Sequence, residues 1–235
     1  MRTLALFTTA LLLAQPVLAQ DEEPAAPAPD PKRVAVTATM SVDGEPAKPN
    51  TLQYFLWERL NHFRLRVDCT NQIGARQFDD YVAKITRWWE SSEPDAGPAA
   101  LTLTARQVID YNASVFYGQA QAHNFKGQVE ATLRDAAGEV VASFAFPFTH
   151  GRSIAGSRLT KSQVQQAYNA MVHTGLVLQV LNHPAVLERI PEGKRAALKK
   201  WSKAERDKLL EAFEASTEAV REGELANQLR DLPLD

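Results

Sequence analysis

The chain has 235 residues, 45% of them hydrophobic and 23% charged, a make-up that excludes a disordered protein and allows a sizeable core. A formal net charge of −2 excludes the global basic field that would draw it to nucleic acid, so no nucleic acid partner is expected. Cys69 is the single cysteine, which excludes an internal disulfide and a thiolate metal cage.

Residues 1–19 read as an export signal. Arg2 supplies a positive start, Leu4 to Leu13 form an almost unbroken apolar stretch, and Val17-Leu18-Ala19 offers a small residue at the cut. That stretch is too short to cross roughly 30 Å of hydrocarbon as a permanent helix. Cleavage after Ala19 leaves Gln20 where a lipoprotein would carry cysteine. The expectation is an exported, soluble, non-lipidated protein, periplasmic or extracellular, with no transmembrane segment after cleavage. Residues 20–32, QDEEPAAPAPDPK, alternate Pro and Ala with acids and read as a stiff, solvated linker.

An α+β domain is expected over 33–190. Val34, Val36, Ala38 and Met40 alternate with small and polar residues, the period of a strand, until Asp43-Gly44, Pro46 and Pro49 break it. Asn50 can cap a helix through about His62, with Leu52, Phe55, Leu56 and Leu60 on one side; a strand over Leu52 to Trp57 competes with it. Phe63 to Thr70 reads as a strand with Phe63, Leu65, Val67 and Cys69 on one face. Ala75 to Ser91 has the spacing of an amphipathic helix, with Trp88 and Trp89 near its end.

Several strands follow: Leu101 to Arg106, about Ala113 to His123, a break at Asn124, then Val129 to Arg134. Asp135-Ala136-Ala137-Gly138 closes a hairpin, and the returning strand sets Phe144, Phe146 and Phe148 on one side. Strands joined this closely are antiparallel. Thr160 with Gln163 makes a capping box for a long helix ended by Pro184, which can begin a short helix to Ile190. A C-terminal helical extension and tail is expected over 191–235, with Ser202 and Glu205 as a second capping box. The sum is an antiparallel sheet of five to six strands covered on one face by long helices.

Chemistry-bearing patterns are sparse. His62, His123, His150, His173 and His183 show no metal-ligand spacing and read as surface or half-buried histidines. Gly151-Arg152-Ser153-Ile154-Ala155 imitates a nucleophile elbow but follows a hairpin strand and reads as a loop. Cys69 could act as a nucleophile only if His123 or His150 reached it from a neighbouring strand; otherwise it is a small core residue. Asp79 and Asp80, adjacent on a helix, diverge by about 100° and cannot flank one bond. No cofactor and no metal site is expected, and no catalytic residue is assigned.

Two surfaces stand out. Arg189, Lys194, Arg195, Lys199, Lys200, Lys203, Arg206 and Lys208 crowd around Trp201, diluted by Glu188, Glu192, Glu205 and Asp207. Trp88 and Trp89 point about 100° apart, so one helix does not easily bury both. The expected contact surface is therefore Trp88, Trp89, Arg195, Lys199, Lys200, Trp201 and Lys203, with the exposed sheet edge beside them.

In outline the order of elements resembles small accessory proteins of bacterial envelopes, such as the lipoprotein partner in lipopolysaccharide assembly and the lipoprotein activators of cell-wall synthases. The likeness is architectural, departs at Gln20, and transfers no residue. The function expected is a noncatalytic exported cell-envelope adaptor or binding protein. Its partner would be an envelope protein or envelope surface component, with a homo-oligomer left open. The alternatives are a small secreted hydrolase with an unrecognised site, or a periplasmic lipid or ligand carrier.

Overall fold

The structure, a computed structural model, describes residues 26–46, 51–69, 97–116, 120–155, 161–215 and 224–234. The export signal expected over 1–19 and the helix expected over Ala75 to Ser91 lie outside these residues. In chain order the elements are β1 (Asp30–Val42), β2 (Glu45–Pro46), α1 (Thr51–His62), β3 (Arg66–Cys69), β4 (Ala99–Phe116), β5 (Ala120–Asp135) and β6 (Val140–Ala155). Helices α2 (Lys161–Asn182), α3 (Pro184–Leu187), α4 (Glu192–Ala215) and α5 (Glu224–Arg230) complete the fold.

The strands form one sheet in the order β2-β1-β4-β5-β6, and β3 shares the outer edge of β1 with β2. The fold is α+β as expected, but the sheet is mixed. Strands β4, β5 and β6 form an antiparallel meander, whereas β1 runs parallel to both β3 and β4. The α1 crossover makes the first of these parallel pairings feasible, because a parallel return needs a dozen or more residues between strands.

Alternation decides which face is buried. Val34, Val36, Ala38 and Met40 of β1 face inward with Leu101, Leu103, Ala105 and Ile109 of β4. Val129, Ala131 and Leu133 of β5 and Phe146 and Phe148 of β6 continue the same layer. Leu52, Leu56 and Leu60 of α1, one helical turn apart, pack into it, which excludes the competing strand over this segment. The second half of α2 is apolar nearly all round and is buried accordingly, through Leu176, Val177, Leu178, Val180 and Leu181. Leu198 and Leu209 of α4 and Ala226 and Leu229 of α5 belong to the same cluster. The opposite sheet face is polar: Thr104, Arg106, Asp110, Lys126, Gln128 and Glu130 are exposed on it. An antiparallel meander tolerates one solvated face in this way.

Several boundaries differ from the sequence periodicity, each for a local reason. Strand β1 begins at Asp30, whose carboxylate is 3.1 Å from the Arg66 guanidinium of β3 and whose amide donates to the Pro98 carbonyl. The strand expected from Phe63 starts only at Arg66, because residues 60–65 close α1 with a left-handed cap. The Arg64 amide donates to the Asn61 carbonyl and the Leu65 amide to the Leu60 carbonyl, with Arg64 at φ 70°. The stretch 113–123 is not one strand but the two arms of the β4–β5 hairpin, paired as far as Phe116 and Ala120, and Asn124 pairs with Asn112 without a break. Residues 151–155 are the end of β6, not a loop. Ser202 does not start a helix: it is fully buried inside α4, where its hydroxyl receives the Asn182 amide at 3.0 Å.

Both sheet edges are occupied or blunted among the described residues. Asp43 and Gly44, at φ 52° and 82°, form a two-residue turn that folds β2 onto β1, the geometry that favours Asp-Gly. At the other edge the Gln228 side chain of α5 donates to the Ala145 carbonyl of β6 at 3.5 Å and accepts from Gln179 of α2 at 3.1 Å. The Ala145 carbonyl therefore points outward. By the two-residue period Pro147, which has no N–H to offer, occupies the same edge.

Candidate functional site

Strand order and register decide the nucleophile candidates. Cys69 pairs with Val36, and that row continues through Leu103 to Leu133. His123 lies on β5 ten residues from Leu133, about 33 Å along the strand. Strands β1 and β4 also intervene between β3 and β5. His150 is on β6, paired with Phe125, one strand further away. The backbone positions of both histidines lie too far from that of Cys69 for a Cys–His pair. Ser153 pairs with Ala122 in the body of β6, where no sharp turn exists to project a nucleophile.

The remaining histidines have structural roles. His62 is exposed and edges onto Phe63 at 4.9 Å. His183 caps α3: its Nδ1 accepts from the Ala185 amide at 3.3 Å, ahead of Pro184 at the first helical position. His173 corrects the expectation that all five are surface or half-buried, since it is only 2% exposed.

His173 belongs to a buried polar chain linking α2 to the sheet. Its Nε2 donates to the Gln107 Oε1 at 2.7 Å, and the Gln107 amide donates to Asn169 Oδ1 at 3.2 Å. Phe55 of α1 lies 5.7 Å from its ring. Burial lowers the imidazole pKa to about 3, so the ring is neutral at physiological pH and too weak a base for proton transfer there. Tyr168, one turn earlier and fully buried, packs against Phe125 and Phe148. Burial pushes its phenol up, Gln107 pulls it down, and the Asp110 charge adds a smaller upward push. The hydroxyl lies over Gly127, where a Cβ would collide with it and with the Val108 carbonyl oxygen, so glycine is required for this packing. Gln107 carries a signal of its own. It follows Leu101, Leu103 and Ala105 at period two and breaks the apolar face with an amide.

The expected contact surface divides. Arg195 is committed to the fold: its Nε donates to the Ile190 carbonyl and its Nη2 to the Glu188 carbonyl, both at 2.9 Å. Arg189 likewise donates to the Ala185 carbonyl. Trp201 is half-buried, 5.5 Å from Phe63, with the Arg59 guanidinium 5.5 Å over its ring. Arg206 pairs with Asp207 at 3.0 Å, and Lys208 approaches Glu205 at 4.0 Å. Lys199, Lys200 and Lys203 are exposed on successive turns of α4 and make no ion pair among the described residues. Trp88 and Trp89 lie outside the described residues.

Among the described residues, no group of three or more His, Cys, Asp or Glu could hold a metal ion, and no helix is long and apolar enough to cross a membrane. What the arrangement offers is surface, without evident catalytic chemistry.

No family model and no curated protein matches the chain. Among solved structures, it is similar to a neuraminyllactose-binding hemagglutinin homolog from Helicobacter pylori at 11% identity and a TM-score of 0.38, covering 68% of this chain and 90% of that one. A minor lipoprotein from Acinetobacter baumannii aligns at 13% identity and a TM-score of 0.35, covering 70% and 97% respectively. A lipoprotein from Neisseria meningitidis aligns at 11% identity and 0.28, covering 60% and 94%. At these scores the likeness is one of coarse shape and carries nothing about ligands or partners.

Proposed function

We propose that the chain is a noncatalytic, exported cell-envelope adaptor that meets its partner through the lysine face of α4. The observation that carries this reading is the contrast within one basic run. Arg189, Arg195 and Arg206 are spent on carbonyls or a neighbouring carboxylate, whereas Lys199, Lys200 and Lys203 stand exposed together. Three adjacent cations attract an acidic surface on an envelope protein or a phosphate-bearing envelope component, and that attraction falls with salt.

The export step rests on the signal pattern of residues 1–19 and the linker of residues 20–32. The hydrolase reading loses its strongest support, because register keeps Cys69 from both candidate histidines and puts Ser153 inside a strand.

Cross-linking and capture from envelope extracts tests the proposal. The wild-type chain should recover a reproducible partner whose yield drops as salt rises. The Lys199→Glu/Lys200→Glu/Lys203→Glu variant should lose most of it while melting as the wild type does. Equal recovery by a folded variant would overturn the assignment of this face.

A further inference from the structure

Arg59 lies in the last turn of α1, half-buried, with its guanidinium 5.2 Å over the Phe55 ring and 5.5 Å over the Trp201 ring. One ring comes from its own helix and the other from α4, so the cation is held where the two helices meet. Phe63 closes the same junction, 5.5 Å from Trp201. Contact with two rings orders a guanidinium before any anion arrives.

Among the described residues no oxygen accepts from this guanidinium, and its Nε is buried without a hydrogen-bond partner. The other half-buried arginines described are all spent: Arg33, Arg189 and Arg195 donate to carbonyls, and Arg206 to a carboxylate. Two carboxylates are near in the chain without closing on Arg59. Glu58 precedes it, and Glu205, one turn beyond Trp201, approaches Lys208 at 4.0 Å instead. With Nε enclosed, Nη1 and Nη2 are the donors left to a ligand.

We infer that Arg59 binds a phosphate monoester through the N–H fork of Nη1 and Nη2, at the margin of the lysine face of α4. A guanidinium offers such a fork to two oxygens at once, whereas an ammonium acts as a point charge. Of the two anions that the lysine face could attract, the arrangement favours phosphate. A carboxylate spends both its oxygens on the fork. A phosphate monoester keeps a third oxygen and a second negative charge for Lys200, which is exposed and directly precedes Trp201 on α4. The inference rests on the lysine face as the contact surface and narrows its partner to one that bears phosphate.

Titration of the whole mature chain with inorganic phosphate at about pH 8, where the anion is mostly doubly charged, tests this directly. The side-chain N–H signals of Arg59 and Trp201 should both move. Acetate at equal ionic strength should bind at least about tenfold more weakly. Arg59→Lys keeps the charge and loses the fork, and should weaken phosphate at least about tenfold. If that variant does not fold, phosphate against acetate on the wild type still decides. Equal binding of the two anions, or signals unmoved up to about 10 mM phosphate, would overturn the inference. Vesicles containing phosphatidic acid separate the sources. Retention that free phosphate reverses assigns a lipid-borne group, and phosphate binding without retention a soluble ester. The lysine face fails separately: capture from envelope extracts that survives Lys199→Glu/Lys200→Glu/Lys203→Glu, while phosphate still moves the Arg59 signal, overturns the face and leaves the phosphate site standing.

Discussion

Histidine 173 shows how one residue can be misread from pattern and still explain much of the packing. In sequence it sits in an apolar run, Met171 to Leu181, and nothing there separates a buried imidazole from a half-exposed one. Its partner is more legible, because Gln107 is an amide at an inward position of an alternating strand. Such a residue must be satisfied from the layer above. The pairing has a consequence for acid stability. The folded ring, with a pKa of about 3 against 6.5 in the unfolded chain, stays neutral while the unfolded chain takes up a proton between those values. Its contribution is complete above pH 6.5 and is lost as pH falls toward 3, at most about 1.4 kcal/mol per pH unit. His173→Gln keeps an amide donor for Gln107 and has no charge to gain. Urea unfolding at pH 4 and pH 7 should show a smaller acid loss in this variant than in the wild type. Parallel losses in the two proteins would contradict this account of His173.

At the scale of elements, the alternating and helical stripes predict the cores of β1, β5, β6, α1 and α2 well, since burial of one face is what those periods encode. Ends are less legible because they depend on partners distant in sequence. β4 and β5 continue past the apolar alternation because each pairs with the other as far as Phe116 and Ala120. Ser202 reads as a cap but is satisfied by Asn182, twenty residues earlier, so α4 runs through it. The end of α1 is the most testable of these. Arg64 holds a left-handed conformation that glycine takes without a Cβ penalty, and its side chain is exposed. Arg64→Gly should raise stability by about 0.5–1 kcal/mol after the extra entropy of an unfolded glycine is deducted. A denaturation midpoint that stays put or falls would show that the arginine side chain contributes more than its backbone strain costs.

The molecule as a whole is a mixed sheet with one apolar face, and the helices that cover that face share its core to the end of the described chain. The two-layer architecture was legible, because the strands from β4 to β6 alternate and the later helices carry long stripes. The parallel placement of β1 was not, since period and composition do not encode which strand it joins. The roles within the basic run are only partly legible in the sequence. A basic run in sequence contains structural and exposed cations alike, and only hydrogen-bond partners separate Arg195 from Lys199, Lys200 and Lys203. The proposed function puts the work on the surface of α4, while His173 and His183 hold parts of the fold. Lysine acetylation footprinting of the chain in buffer and in envelope extract measures this most directly. Lys199, Lys200 and Lys203 should become protected in the extract while Lys32, exposed on β1, labels equally in both. Equal labelling of all four lysines in the two conditions would contradict the assignment of α4 as the contact surface.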